Sequence, residues 1–213
     1  MKWILDNLTL IRQRTLQHML IALPPILLSF VVSIPVGWVA ARFRWTKSVL
    51  LSILGLLYAV PSLPLFIALP AVIGTGLRNP VNVVIALSLY GIALMVRASA
   101  DAIGSVDEDV IQAGTAMGFS TWSRFWRIEL PLAGPVLLAG IRVVAVSTVS
   151  LTTVGAVLGI KSLGLLFTDG TQRNIPEEIA VGIALTIAIA VLVDFVLVVI
   201  GRLLMPWAQT EAT

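Results

Sequence analysis

The sequence contains no cysteine, which removes disulfides, thiolate metal sites and thiol nucleophiles together. Its one histidine, His18, has no set of partner residues around it, so it gives neither a metal site nor a catalytic base. No G-x-x-x-x-G-K-[ST] loop is present to cradle phosphates, so no nucleotide is expected on this chain. Charge is equally scarce. Only 12% of the 213 residues are Asp, Glu, Lys or Arg, about half the fraction usual in soluble domains. The net charge of +3 is modest and scattered, leaving no footprint for nucleic acid.

What fills the chain instead is apolar. Hydrophobic residues make up 58% of it and the mean hydropathy is +1.02. Such a chain cannot cover itself with polar surface, so a bilayer is its solvent. The uncharged runs 15–41, 48–77, 79–96 and 143–160 each reach about the 18 to 20 residues that a membrane helix needs. Hydrocarbon offers no partner to backbone N–H and C=O groups, and the period-2 alternation of a barrel strand is absent. The fold class expected is therefore an all-α integral membrane protein with about five spans.

Residues 1–17 are expected to form an amphipathic segment at the membrane interface, with Trp3, Ile4, Leu8 and Ile11 at helical spacing. A cleavable signal peptide is not expected there. Asp6, Arg12 and Arg14 fall in the first 14 residues, and the apolar run that follows is too long for an h-region. The transmembrane domain is expected over 18–204, followed by a short tail at 205–213. Its spans are placed at about 18–41, 48–70, 81–97, 132–159 and 178–204. The second is interrupted by prolines in YAVPSLPLFIALP, and a turn-rich connector follows at 74–80. GIKSLGLLFTDGTQRNIP, at 159–176, reads as a loop.

Five spans put the termini on opposite sides. With the stretch 98–131 on the cytoplasmic side, seven cations lie inside (Arg42, Arg44, Lys47, Arg97, Arg124, Arg127, Arg202) against six outside (Lys2, Arg12, Arg14, Arg78, Lys161, Arg173). That margin does not orient the chain by the positive-inside rule alone.

The polar stretch is the feature most unlike its surroundings. Ser105 is a possible N-cap, with Asp107, Glu108 and Asp109 in the first turn, where the helix dipole favours acids. Gly118 ends this short helix, because glycine tolerates the left-handed conformation. A second short helix opens at Ser120 or Thr121 and stops at Pro131. The residues alone leave two readings open: a linker between spans, or a helix–Gly–helix unit that docks in a groove of another protein.

Spacing connects this stretch to a family. Gln112-Ala113-Gly114, three residues, Gly118, nine residues, Ile128, one residue and Leu130-Pro131 resembles the Glu-Ala-Ala…Gly…Ile-x-Leu-Pro signature of ABC-importer permeases. Met117 lies between the first two elements. The departures are Gln112 for the glutamate and Gly114 for the second alanine. The resemblance extends over about residues 15–205, and SLGLLFTDGTQRN and YAVPSLPLFIALP look like the osmoprotectant permeases that serve betaine, carnitine or choline.

The resemblance implies a type I importer permease fold in a bacterial plasma (inner) membrane, with coupling loop and C-terminus cytoplasmic and the N-terminus outside. It implies a coupling helix on a cytoplasmic ABC ATPase dimer that holds the ATP and Mg, with no cofactor on this chain. It further implies a second permease subunit, paralogous or identical, and an extracytoplasmic substrate-binding protein.

Two charges fall inside spans. Arg142 lies ten residues beyond Leu132 and Asp194 ten before Leu204, on spans running oppositely. At 1.5 Å per residue both lie about 15 Å from the cytoplasmic ends, so they are expected to pair. The pair can lock two helices or serve the pathway. Ser147, Thr148 and Thr152 crowd the fourth span, either bonding back to carbonyls or lining a translocation path. Tyr58, Pro61 and Ser62 mark a break that is a kink or a gate. Tyr90 is a packing residue or a cation–π surface for a quaternary ammonium group.

Rival readings are an importer permease for another solute such as an amino acid, and a stand-alone secondary transporter. The latter expects an internal repeat, which is not seen, and an ion-coupling carboxylate, for which Asp194 is the sole candidate. A membrane-embedded enzyme would need a catalytic cluster, and none is visible.

Overall fold

The computed structural model describes residues 2–209, which are helical with short connections and contain no strand. The chain runs α1 (Lys2–Asp6), α2 (Leu8–Arg42), α3 (Arg44–Ala59), α4 (Ser62–Ile73), α5 (Pro80–Gly104), α6 (Glu108–Ala116), α7 (Thr121–Arg124), α8 (Leu130–Thr152), α9 (Gly164–Arg173) and α10 (Pro176–Leu204). Four helical segments are long and apolar enough to cross a membrane, and five if the bent α3–α4 pair counts as one.

The first span is longer than the sequence reading allowed. The helical break falls at Asn7 rather than near residue 17, and α2 continues for 35 residues, about 50 Å at 1.5 Å per residue. Residues 8–17 are its first turns, and Trp3 and Leu10 pack against the central apolar cluster. Pro24, Pro25 and Pro35 do not end the helix; at Pro25, which is buried, Ser29 Oγ donates to the carbonyl at 2.6 Å. Small residues permit close helix contact: a methyl group at Gly91 would collide with Ser29, and one at Gly37 would lie 2.9 Å from the Ala100 backbone nitrogen. Helices α2 and α5 therefore pack backbone to backbone, the usual solution where lipid gives no hydrophobic drive.

The second span is broken as its prolines require. Helices α3 and α4 meet at 101° across Val60 and Pro61. Asn79 then caps α5 by accepting from the Val81 N–H at 3.0 Å, with Pro80 in the first helical turn.

Two expected boundaries are corrected. Pro131 does not end a helix: α7 passes through a π-helical turn at Phe125–Glu129 straight into α8. In that turn the Leu130 N–H reaches the Phe125 carbonyl, five residues back, and the widened turn accommodates proline, which supplies no donor of its own. The 159–176 stretch is likewise not a plain loop, since it contains α9. Ser162 Oγ accepts from the Gly164 N–H at 3.2 Å, and Asn174, in the left-handed conformation at φ 53°, closes the helix. Buried Leu163 and Leu166 fasten it to the core. The fourth span itself ends in a 3-10 segment at Thr153–Leu158. Gly159, at φ 76°, ends the segment.

Helix α10 is the most apolar span and is hardly buried within the subunit. Gly182 rests on Phe167 and Gly201 on Leu138, while Ile187, Val191, Leu192 and Phe195 point outward.

Candidate functional site

The polar stretch folds as a helix–Gly–helix unit between α5 and α8. Its N-cap is Asp107, whose Oδ1 accepts from the Asp109 N–H at 2.8 Å; Ser105 instead ends α5. The correction follows from the acidic run, because any of several residues there can cap and the backbone turns latest at Asp107. At the other end the Gly118 N–H donates to the Thr115 carbonyl (3.0 Å) and the Phe119 N–H to the Gly114 carbonyl (3.2 Å). Gly118, at φ 83°, is the left-handed residue this closure needs. Ser120 then caps α7, its Oγ accepting from the Ser123 N–H at 3.3 Å.

The unit's two surfaces differ. Gln112, Ala113 and Met117 are exposed, Met117 at 69%, and they form the free face. Gly114 is buried against the second half of the unit, where a methyl group would lie 2.8 Å from Ile128 Cδ1 and 3.5 Å from Arg124 Cδ. Two fixed points of the spacing pattern, Gly114 and Ile128, therefore touch. Leu130 and Pro131, both half-buried, begin α8. Gly114→Ala is expected to change thermal stability little, because a gain in helix propensity of up to about 1 kcal/mol is offset by displacement of Ile128. A melting curve of the purified protein checks this.

Behind the unit lies a group of residues that the spacing did not single out. Glu129 is 3% exposed, and its Oε1 accepts from Arg124 Nε at 2.9 Å and from Arg42 Nη2 at 3.2 Å. Trp38 Nε1 donates to Oε2 at 3.3 Å. Arg124 Nη1 also donates to Thr115 Oγ1 at 2.5 Å. An aromatic group packs beside it: Trp38 lies 5.1 Å from Phe125 and 6.1 Å from Trp122, and the Arg42 guanidinium stands 5.2 Å over the Trp38 ring. The available signal was a lone acid, Glu129, among the cations and tryptophans of 122–127.

In the spans, Arg142 Nε and Nη2 donate to Asp194 Oδ1 and Oδ2 at 2.6 and 2.8 Å, a two-point pair joining α8 to α10. The side chains are 42% and 28% exposed, so the pair opens onto the outer surface of this subunit rather than its interior.

The hydroxyl-rich strip of α8 divides between faces. Thr148 and Thr152 are buried, with Thr152 Oγ1 donating to the Thr148 carbonyl at 2.8 Å, while Ser147 is half-buried on another face. At the α3–α4 break, Tyr58 and Tyr90 meet edge to face at 5.8 Å. Tyr90 donates to the Val60 carbonyl at 2.7 Å, a carbonyl beside the break at Pro61 and Ser62. Tyr90 is 4% exposed, so within this subunit it offers a cation no open ring face.

Two cavities flank the spans. An apolar groove of about 500 Å³ between α2, α8 and α10 has Trp126 and Trp207 on its lining. Another, of about 490 Å³ at the end opposite the helix–Gly–helix unit, is lined in part by Arg78, Asp169 and Gln172. No group of three or more potential metal ligands occurs among the described residues.

Residues 33–209 match the family model described as "Binding-protein-dependent transport system inner membrane component". The chain is 29% identical over 198 residues to the osmoprotectant import permease protein OsmW of Salmonella typhimurium, covering 92% of each chain. It is 28% identical over 193 residues to the choline transport system permease protein OpuBB of Bacillus subtilis, covering 91% of this chain and 88% of that one. With the carnitine transport permease protein OpuCB of Listeria monocytogenes the identity is 28%, over 93% of this chain and 90% of that one. Among solved structures, an inward-facing form of the MetNI methionine ABC transporter aligns with a TM-score of 0.80 at 17% identity, covering 93% of this chain and 98% of that one. At that identity the likeness shows the fold, which is that of a type I importer permease.

Proposed function

This chain belongs to the family of binding-protein-dependent transport system inner membrane components, and from that premise we propose that it is the membrane subunit of an ATP-driven importer of osmoprotectants. The observation that carries the reading is the Gly118-closed unit, whose exposed Gln112, Ala113 and Met117 face away from the bundle. A face of glutamine, alanine and one flexible methionine suits a groove on a second protein. In this reading α6 docks on a cytoplasmic ATPase dimer, which binds ATP and Mg, and this chain hydrolyses nothing.

ATP-driven closure of the dimer carries α6 with it, the spans rock, and the central path opens to alternate sides of the bacterial inner membrane. The coupling unit and C-terminus lie in the cytoplasm and the N-terminus outside. A second permease, identical or paralogous, covers exposed span surface, and lipid acyl chains fill the apolar groove. An extracytoplasmic binding protein delivers the solute at the end that holds Arg78 and Asp169. Tyr58, Pro61 and Ser62 at the broken span and Ser147 on α8 are the candidates for the path; Tyr90, Thr148 and Thr152 support it from behind. The cargo proposed is of the kind named for the relatives, osmoprotectants, choline and carnitine. A path without a strongly held fixed charge suits a zwitterion or a quaternary ammonium solute.

Reconstituted with the ATPase and binding protein, the chain is expected to import labelled glycine betaine only when ATP is on the ATPase side. Uptake by this chain alone under an ion gradient would overturn the proposal in favour of a secondary transporter.

A further inference from the structure

Nothing in the motif spacing explains how a short helix outside the bilayer could move a span. The contacts supply a route. From α6, Thr115 Oγ1 accepts from Arg124 Nη1. From α7, the same guanidinium donates through Nε to Glu129. From the end of α2, Arg42 and Trp38 donate to that carboxylate. One buried carboxylate thus ties the end of α2 to Arg124 of α7, distant in the chain, and through that guanidinium to Thr115 of α6, and the Trp38 ring that donates to it packs against Phe125 and Trp122. With Glu129 and Arg124 buried, such a charge-assisted network is stiff at its centre, and losing the carboxylate leaves the buried Arg124 guanidinium without its charge partner. The apolar contact of Gly114 with Ile128 closes the same joint from the other side.

We propose that Glu129 is the joint that makes α6, the start of α8 and the cytoplasmic end of α2 move as one body, so that displacement of the docking helix reaches the first span directly. The proposal rests on the reading of α6 as the docking helix and adds a positioning residue that touches neither solute nor ATPase.

The absence of native cysteine makes the test direct. Spin labels are attached through Ala116→Cys on α6 and Phe43→Cys at the end of α2, in the full complex with ATPase and binding protein. The distance distribution between them is expected to be narrow and unchanged between nucleotide-free and ATP-trapped states. Glu129→Gln should broaden it and lower transport per ATP hydrolysed by about tenfold, the scale of a coupling network's effect, with Glu129→Asp recovering part of both. Thr115→Val, at an exposed position that does not threaten folding, should broaden the distribution to a lesser degree.

A distribution that stays narrow in both Glu129→Gln and Thr115→Val overturns the joint, as does a 116–43 distance that shifts with nucleotide in the unmutated chain. Failure of the docking reading has a different signature. The label at 116 would then remain as mobile with the ATPase as without it, and transmission through the joint would fall with that reading.

Discussion

Removal of the Asp194 carboxylate alone, as Asp194→Ala, is expected to lower the yield of folded, membrane-extracted protein by about tenfold or more, because it strands an arginine at membrane depth. Arg142→Ala should do the same from the other side. The two-point geometry between α8 and α10 makes the partners interdependent, and it adds to the apolar packing that holds α10: Ile189 in the core, Gly182 on Phe167 and Gly201 on Leu138. The exchanged pair Arg142→Asp/Asp194→Arg should recover much of the yield, measured as monodisperse protein on size exclusion. If the exchange rescues nothing while both single variants fail, the pair is not what holds the helices.

The doubly apolar variant Arg142→Leu/Asp194→Leu separates the two roles left open by the sequence. Replacement of an ion pair by apolar residues of similar volume is often neutral for stability. Retained folding with retained transport identifies a lock between helices; retained folding with lost transport assigns the exposed pair to the path or to the second subunit.

The second large effect is expected at Gly118. Its φ of 83° lies where a β-branched residue is a genuine outlier, and left-handed backbone costs a side chain roughly 1–2 kcal/mol. Crowding is not the cause, since nothing lies within 4 Å of where a Cβ would be. Gly118→Val should therefore re-aim α6 relative to α7 without disturbing the spans. Membrane insertion and yield should be close to the parent's, while stimulation of the ATPase by loaded binding protein is lost. Gly118→Asn, which tolerates the left-handed region, should keep most of the coupling. Equal coupling in the valine and parent proteins would remove the role given to this turn.

The spans were legible because hydrocarbon leaves a helix as the only answer to an uncharged run of 18 residues or more. Their boundaries were less so. The continuation of α2 back to Leu8 depends on Trp3 and Leu10 finding the core, a tertiary fact that Arg12 and Arg14 in the sequence argue against. Pro131 looked like a terminator because local rules treat proline so, and the π-helical turn that absorbs it leaves no mark in composition. The helix in 164–173 was hidden by its glycines and polar residues, and its support comes from buried Leu163 and Leu166.

In the helix–Gly–helix unit, Gly118 could be read from local chemistry. Glu129 could not, because its meaning lies in Arg42 and Trp38, about ninety residues earlier. The Arg142–Asp194 contact sits between these cases. Equal depth on antiparallel spans brought the two charges to one level, but only the packing of α8 on α10 shows that they face outward.

The bend between α3 and α4 bears on how the protein is made. At 16 and 12 residues, the two arms are about 24 and 18 Å long, each short of the roughly 30 Å that a bilayer's hydrocarbon demands. Neither arm can be released from the insertion machinery as a stable span by itself. What holds the corner is Tyr90 on Val60, and Tyr90 belongs to α5, which is synthesised later. Stable seating of residues 44–73 is thus expected only once α5 is in place, so that the bent pair and its clasp behave as one unit in the membrane.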